Sequence, residues 1–319
     1  MKNALISIAV PTYNVEPYIQ TALQSALNQQ DVTVEVFVID DASTDNTLQR
    51  VREIDDPRVT IIPNDVNRGP GYCRNLAIKR MRGDWLALLD GDDWWDPFRL
   101  SHLLRLAERW QAEIAADNNF LVVDGQTVPW STTLREMGCH QRVQKLIRLD
   151  DLLKFDYSHL QPLISARFIR EHQLYYPWYS RIAEDFTFML TFLQYCPRMV
   201  VTPTPYYYYR TRKGSVTSDS AAYLPQTLEA IRTLTAIDAG SSDQVARILK
   251  ARKALTKKTT AFIHFRDLIH TKSYSQALRE AWVNPKSFGY FLLLAPKAAR
   301  RVYLKRMAAY RGKANTVQA

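Results

Sequence analysis

Cysteine is scarce in this chain, because its 319 residues include three copies and no two of them form a C-x-x-C pair. This usage argues against a zinc site and is typical of proteins in a reducing compartment. Long apolar runs are missing too, since no segment reaches the roughly 18 residues that a membrane-spanning helix needs. The first residues show no secretory signal pattern. We therefore expect a cytosolic chain.

Glycine is infrequent, with ten copies, and no G-x-G-x-x-G motif follows the first predicted strand. Such glycines let the backbone approach the pyrophosphate of a dinucleotide closely. Their absence argues against a nicotinamide or flavin site of the usual kind. Apolar residues make up 46% of the chain and charged residues 23%, which is ordinary for a globular protein.

Acidic residues are missing after Glu280, whereas Lys and Arg continue and contribute much of the net charge of +10. Apolar side chains lie between these cations, a pattern typical of a helix at the surface of an anionic membrane. The alternative is a helix that packs on the protein with a solvated basic face. Because the basicity is concentrated in this tail, 287–319, we do not expect nucleic-acid binding.

Strand and helix patterns alternate over the first hundred residues. Short apolar runs predict strands, and apolar residues at helical spacing between them predict helices. This order predicts an α/β fold with a doubly wound, mostly parallel sheet and right-handed crossovers. The predicted strands are 5–10, 34–39, 59–62, 86–89, 114–117, 160–164, 199–201 and 206–209, and the polar segment 128–149 is predicted to form loops.

Helical patterns dominate after Ser220. They predict helices over 224–237, 243–269 and 275–283. We therefore expect a domain boundary near Ser218, with one domain of residues 1–217 and a helical extension of residues 218–319. The alternative is that these helices pack back on the sheet.

The fourth predicted strand ends in Asp90-Gly91-Asp92-Asp93. In parallel sheets, ligands collect at the carboxyl ends of the strands, so these acids lie where a ligand is expected. Three close carboxylates repel one another, and a hard divalent cation, Mg2+ or Mn2+, relieves that repulsion. The alternative is a solvated acidic turn. Gly91 is expected to let the backbone turn between the acids.

Four further polar clusters follow predicted strands or open the next helix. Ser43 or Thr44 is expected to cap the helix after the second strand. Glu184 and Asp185 open an apolar helix, where acids can serve only to complement the helix dipole. The four clusters are Pro11-Thr12-Tyr13-Asn14, Asp40-Asp41-Ala42-Ser43-Thr44-Asp45, Asn67-Arg68-Gly69 with Arg74-Asn75, and Glu184-Asp185.

This series of motifs resembles the family 2 glycosyltransferases, inverting enzymes of the GT-A fold that use nucleotide-sugar donors. The resemblance covers roughly residues 3–217. Within the family, the motifs Asp56-Pro57-Arg58-Val59, Asn67-Arg68-Gly69-Pro70, Ala116-Asp117-Asn118 and Glu184-Asp185-Phe186 look like those of succinoglycan-type exopolysaccharide glucosyltransferases. That resemblance implies transfer of glucose from a UDP-sugar to a lipid-linked saccharide at the cytoplasmic face of the inner membrane.

The resemblance also implies roles for single residues. Asp93, with Asp92, would hold the metal ion, and Asp185 beside Glu184 would be the general base. Arg210, Arg212 and Lys213 would lie in a loop that closes over the donor, although many relatives carry His in that loop. Pro11, Thr12, Asp41 and Asp40 would face the base and ribose, Arg74 or Arg68 would lie along the nucleotide, and Asp90 or Asp92 would approach the ribose.

Three other functions are compatible with parts of the sequence. A nucleic-acid-binding protein would share the high pI of 9.4, but the acidic cleft predicted here would repel phosphate. A non-catalytic sugar-binding protein could have the same fold, but the presence of both Asp93 and Asp185 argues against it. A nucleotidyltransferase would have a Gly-rich phosphate loop near the first strand, and none is present.

Overall fold

A computed structural model describes residues 4–177, 184–195, 198–212 and 242–316. The first elements are β1 (Leu5–Thr12), α1 (Ile19–Leu27), β2 (Thr33–Asp40), α2 (Thr47–Arg52), β3 (Val59–Pro63), α3 (Pro70–Arg80), β4 (Trp85–Leu88), β5 (Trp94–Trp95) and α4 (Arg99–Trp110). They are followed by β6 (Ile114–Val123), β7 (Ser131–Thr132), α5 (Thr133–Glu136), β8 (Lys145–Ile147), β9 (Leu163–Ser165), α6 (Ala166–Glu171), α7 (Glu184–Tyr195) and β10 (Met199–Thr211). Two short 3-10 helices, Leu149–Leu153 and Tyr157–His159, precede β9, and the last described helices are α8 (Asp243–His270), α9 (Tyr274–Val283) and α10 (Pro285–Thr316).

Strands β3, β2, β1 and β4 form a parallel half of the sheet, in that order. The central strand β1 is buried on both faces, as Ile6 and Ile8 on one face and Ser7 and Ala9 on the other have no exposed surface. Its register with β2 pairs Thr12 with Asp40, so the two strands end side by side. The polar residues after both strands therefore meet at one edge of the sheet.

The sheet continues from β4 through β9, β6, β10 and β5. Strand β9 is antiparallel to β4, and β5 is antiparallel to β10, with Tyr207 opposite Trp95. The predicted α/β class, with a helical region at the C-terminal end, is confirmed. The antiparallel part brings β10 beside the acidic turn that follows β4.

Strand β10 is one element of 13 residues, where the sequence predicted two strands, 199–201 and 206–209. Pro203 and Pro205 interrupt the apolar pattern, and proline cannot donate a ladder hydrogen bond. The strand runs through both prolines. The segment 128–149, predicted to be loops, likewise contains β7, α5 and β8.

The predicted cap of the second helix is wrong. Helix α2 begins at Thr47, and its N-cap is Asn46, whose side chain makes no capping hydrogen bond. The Ser43 hydroxyl instead donates to the Asp40 carboxylate at 2.6 Å. The Thr44 backbone nitrogen donates to the Asn14 side chain at 2.8 Å. The polar loop is used to join the ends of β1 and β2.

Two compact units make up the chain, one of residues 1–121 with 131–210 and the other of 122–130 with 211–319. In the second unit, the rings of Phe262, Phe265, Phe288 and Phe291 pack together. The predicted boundary near Ser218 and the predicted helix 224–237 lie outside the described residues, so the predicted division stays a prediction. Within the described part of the chain, no helix is long and apolar enough to span a membrane.

A buried ion pair lies behind the acidic turn. The Arg99 guanidinium donates to Asp117 at 2.8 and 3.0 Å, and both side chains are fully buried. The rings of Trp95 and Tyr207 lie 4.7 and 5.0 Å from the guanidinium carbon. Arg99 also donates to the carbonyl of Gln161. The pair therefore joins α4, β6 and β10 behind the turn.

We predict that Asp117→Asn lowers the free energy of unfolding by about 3 kcal/mol, because it leaves the Arg99 charge buried without a counter-ion. Chemical denaturation monitored by circular dichroism measures this. The matched control is Glu53→Gln, since the Arg50–Glu53 pair has side chains 45% and 41% exposed. That control should change stability by less than about 0.5 kcal/mol. Equal effects of the two substitutions would contradict the prediction.

Candidate active site

The ends of β1 and β2 are tied together by side chains. The Thr12 hydroxyl lies 3.4 Å from Asp40 Oδ1, and Asp40 also accepts hydrogen bonds from the hydroxyl and backbone nitrogen of Ser43. Thr12, Asp40 and Asp41 are all buried. These contacts hold the loop after β2 against the end of β1.

Asp41 organises the loop before α3. Its carboxylate accepts hydrogen bonds from the Asn64 side chain at 2.8 Å and from the backbone nitrogens of Arg68 and Gly69 at 3.0 and 2.7 Å. Gly69 has a φ of +88°, a conformation that favours glycine. The loop thereby places the first turn of α3, and Arg74 lies one turn further along.

Gly91 lies where two loops touch. A Cβ atom at this position would be 2.9 Å from Thr12 Cγ2 and 3.3 Å from the carbonyl oxygen of Pro11. Its φ is not positive, so the expected need for an unusual turn conformation is not what the structure shows. Glycine is needed here because the acidic turn passes so close to the end of β1.

Asp93 is held by strand β10. It is 1% exposed, its Oδ2 accepts a hydrogen bond from the Tyr207 hydroxyl at 2.8 Å, and its Oδ1 accepts one from the Arg210 backbone nitrogen at 2.7 Å. Tyr207 also accepts a hydrogen bond from the Asp90 backbone nitrogen at 3.2 Å. Burial and the nearby charges of Asp92 and Asp90 raise the pKa of Asp93 well above its usual range.

Arg210 also contacts the acidic turn, residues 90–93. Its guanidinium carbon lies 4.7 Å from the Tyr18 ring and 4.6 Å from the Trp94 ring, and its Nε donates to the Asp92 carbonyl at 2.8 Å. The sequence placed Arg210 in a basic loop, but the structure places it in β10. Arg212 follows the strand, and Lys213 lies in the segment 213–241, which is outside the described residues.

Arg74 joins two acidic clusters. Its Nη1 donates to Asp185 at 2.7 Å and lies 3.5 Å from Glu184, while its Nη2 donates to Asp90 at 3.0 Å. The Tyr176 ring lies 5.2 Å from the guanidinium carbon. Although burial favours the neutral form, the surrounding carboxylates raise the pKa of Arg74 above its usual value. The guanidinium therefore stays charged and bridges the two clusters.

Glu184 and Asp185 begin α7, so their carboxylates also lie at a helix N-terminus. Burial, followed by the charge of Asp185, raises the pKa of Glu184 to about 8. Burial also raises the pKa of Asp185, and Arg74 opposes that change. The Asp185 side chain keeps about a third of its surface exposed, whereas the Glu184 side chain is nearly buried. Asp185 is therefore the carboxylate of this pair that a second molecule can reach.

No group of three or more His, Cys, Asp or Glu side chains within the described residues is arranged to hold a metal ion. Asp92 and Asp93 nevertheless provide adjacent carboxylates in a crowded acidic turn, as the raised pKa of Asp93 shows. Oxygen ligands of this kind suit Mg2+ or Mn2+, which commonly complete their shell with substrate phosphates and water. Asp92 and Asp93 therefore fit a metal ion whose remaining ligands would come from a bound nucleotide and water.

Three residues of this site are not predicted by any sequence pattern. Tyr207 holds Asp93, Gln161 donates to Asp90 Oδ2 at 3.0 Å, and Arg99 stacks on Tyr207. The only signal for Gln161 was a polar residue in an apolar run, and the run of four tyrosines gave no way to single out Tyr207. Each acts through tertiary contacts, which a linear pattern does not reveal.

Comparison with known proteins supports an enzyme of one family. The sequence profile of "Glycosyl transferase family 2" matches residues 7–168. The succinoglycan biosynthesis protein ExoO of Rhizobium meliloti (strain 1021) is 32% identical over 314 residues, which span 95% of this chain and 87% of that protein. The chain belongs to glycosyl transferase family 2.

Two further proteins are similar to this family member. The UDP-Glc:alpha-D-GlcNAc-diphosphoundecaprenol beta-1,3-glucosyltransferase WfaP of Escherichia coli is 32% identical over 120 residues, 38% of this chain and 48% of that protein. The mannosyltransferase PcManGT from Pyrobaculum calidifontis has been solved in complex with GDP-Man and Mn2+. Its structure matches with a TM-score of 0.60 at 19% identity, and the match spans 96% of this chain and 84% of that one. The predicted family and GT-A fold are confirmed.

The family match spans the predicted site residues from Pro11 to Asp93, but it ends before Glu184, Asp185, Arg210 and Arg212. The structure brings residues inside and outside the family match together. Arg74 donates a hydrogen bond to Asp185, and Arg210 donates one to the Asp92 carbonyl. The functional roles of the individual residues stay predictions.

We predict that Glu184→Gln stabilises the protein at pH 8.5 but not at pH 5. In the unfolded chain Glu184 ionises near its ordinary pKa of 4.5, whereas in the fold its pKa is about 8. Stability linked to this proton is complete below pH 4.5 and is lost as the pH rises toward 8. The variant avoids that loss, and its advantage in Tm should grow over this range. Glu171→Gln, at a mostly exposed carboxylate, is the control. A pH-independent difference would contradict the prediction.

Proposed function

We propose that the protein transfers glucose from UDP-glucose to a hydroxyl of a lipid-linked saccharide, with inversion, during exopolysaccharide synthesis. One observation carries this proposal: the Arg74 guanidinium donates hydrogen bonds to Asp185 on one side and to Asp90 on the other. The Tyr207 hydroxyl then links the Asp90 backbone to Asp93. The predicted base and the predicted metal ligands therefore belong to one continuous network.

The relatives support the substrate classes. ExoO is a succinoglycan biosynthesis protein and matches nearly the whole chain. The name of WfaP specifies UDP-glucose, a diphosphoundecaprenol-linked acceptor and a β-1,3 linkage. We therefore propose a UDP-sugar as donor, glucose as its sugar and a lipid-linked saccharide as acceptor. A lipid-linked acceptor favours a peripheral position at the cytoplasmic face of the inner membrane, with the basic C-terminal tail as one point of contact.

Asp185 is the proposed general base. An attacking hydroxyl must lose its proton, and a partly exposed carboxylate can accept it. The raised pKa of Asp185 makes it a stronger base than an ordinary aspartate, while the bond to Arg74 keeps it ionised. Glu184, whose pKa is about 8, is mostly protonated at neutral pH and therefore adds little charge beside it. Attack opposite the leaving group would invert the anomeric centre.

The donor is proposed to bind at the ends of β1, β2 and β4. Pro11, Thr12, Asp40 and Asp41 would face the base and ribose, and Asp41 has a carboxylate suited to accept the uracil N–H. Asp90 or Asp92 would approach the ribose. Arg74, whose guanidinium is paired with Asp185 and Asp90, would lie beside the nucleotide and orient both carboxylates. Arg210 and Arg212 would contact the diphosphate, as guanidinium groups suit phosphate oxygens.

Asp93 and Asp92 would hold Mg2+ or Mn2+. Bound there, the ion would supply Lewis-acid stabilisation of the charge that develops on the leaving diphosphate. The similar fold of PcManGT has been solved with Mn2+, which supports a metal ion in this class of site. Tyr207 and Arg210 would fix the orientation of Asp93, since both of its oxygens accept hydrogen bonds from them.

We predict that Asp185→Asn retains donor binding and lowers transfer by about a thousandfold, because the amide cannot accept the acceptor's proton. Donor binding is measured by thermal protection with UDP, and transfer by incorporation of radiolabelled glucose from UDP-glucose into bacterial lipid extract. The exposed Asp55→Asn is the control. Unchanged turnover in Asp185→Asn would remove this residue from the mechanism.

We predict that Asp93→Ala abolishes the Mn2+-dependent part of the thermal protection by UDP. Ligands that bind the folded state raise its stability, so protection reports binding without any need for the acceptor. Asp93→Asn keeps the size of the side chain and should give the same loss, which separates the missing charge from local disruption. A variant that responds to Mn2+ and UDP as the wild type does would show that Asp93 does not hold the ion.

A further inference from the structure

Helix α9 exposes large apolar side chains at helical spacing. Tyr274, Leu278 and Trp282 recur every four residues and so form one stripe along the helix. Their exposed fractions are 55%, 72% and 89%, and the neighbouring Val283 is 71% exposed. We call these four residues the α9 stripe. Contiguous exposed apolar side chains of this kind mark interaction surfaces, whereas single ones are ordinary.

The stripe belongs to a helix that is packed in place. Ala277, on another side of α9, is 7% exposed, and α9 contacts both α8 and α10. The small side chain allows close packing on that side. The α9 stripe is therefore exposed on a folded helical unit, a name that we use for residues 242–316.

The charge of this helical unit indicates the nature of the partner. Residues 242–316 include seventeen Lys and Arg but only three acids, Asp243, Asp267 and Glu280, which gives a formal net charge of +14. Because the whole chain carries +10, all other residues together carry −4. A second copy of this unit would be repelled by its like charge. The partner must be both anionic and able to take up apolar side chains.

An anionic lipid bilayer meets both requirements. Trp and Tyr are favoured at the boundary between headgroups and acyl chains, and Lys and Arg are attracted to anionic headgroups. Helix α10 extends the same character, because Leu292 and Leu293 are 55% and 63% exposed and Lys297 and Arg300 follow them. Nucleic acid would match the charge but offers no apolar phase for Leu278 and Val283.

We propose that the α9 stripe inserts into the interfacial layer of an anionic membrane, while the cations of the helical unit contact the headgroups. This deepens the proposed function, on which it rests, because a lipid-linked acceptor lies at such a surface. It also adds to the expectation from the sequence, which assigned the anchor to the tail 287–319. Phe288 and Phe291 of that tail pack on Phe265 in the helical unit, so deleting it would also disrupt packing.

Co-sedimentation of the full-length protein with vesicles tests the proposal without disturbing that packing. We expect binding to phosphatidylglycerol-containing vesicles and much weaker binding to pure phosphatidylcholine. The double variant Leu278→Ser, Trp282→Ser should lower the partition coefficient by about tenfold or more, because it removes the apolar side chains that enter the interface. Trp282→Phe should retain most of the binding.

Val143→Ser is the matched control, since Val143 is 72% exposed, as is Leu278, and lies outside the helical unit. Equal vesicle binding by the wild type and the double variant would overturn the proposal. So would the loss of a dimer in the double variant during sedimentation velocity, or preferential binding of the stripe to duplex DNA. Thermal protection by UDP is measured on the same proteins: its absence in the wild type would refute the donor assignment and leave the vesicle result unaffected.

Discussion

The site depends on a single guanidinium that neutralises carboxylates from two distant parts of the chain. Arg74 lies within 2.7 Å of Asp185 and 3.0 Å of Asp90, and it is almost completely buried. Without this cation, the carboxylates of Asp90, Glu184 and Asp185 would repel one another. The arrangement of α7 next to the acidic turn is therefore electrostatically possible because Arg74 lies between them.

The position of Arg74 is in turn set by the backbone around α3. Asp41 holds the loop at the start of that helix through the nitrogens of Arg68 and Gly69. One residue after Arg74, the Asn75 side chain donates to the Tyr176 carbonyl at 2.9 Å and accepts from the Tyr176 nitrogen at 2.8 Å. The Asn75 side chain thus links α3 to the segment around Tyr176, about a hundred residues later in the chain.

The sequence predicts the half of this site that local patterns encode. Parallel strands end at a common edge, so Thr12, Asp40 and Asp90 could be placed together from strand patterns alone. Tyr207 and Arg99 could not, because they reach the site through antiparallel pairing of β10 and through a buried ion pair. The predicted helix cap at Ser43 is wrong for a related reason. The Ser43 hydroxyl donates a hydrogen bond to Asp40, a tertiary partner, and does not cap the next helix.

The balance of charge in the site explains why a nucleotide donor would need a cation there. The Arg74 guanidinium faces the carboxylates of Asp90, Glu184 and Asp185. The Arg210 guanidinium donates to the backbone carbonyl of Asp92, beside the carboxylates of Asp92 and Asp93. Protonation of Glu184, with its pKa of about 8, removes one negative charge but leaves an excess of acid. A diphosphate brings further negative charge, and a divalent cation between it and Asp93 would convert repulsion into attraction. The fold concentrates acid where an anionic substrate is expected, so a metal ion bound there would offset the repulsion between these carboxylates and the donor.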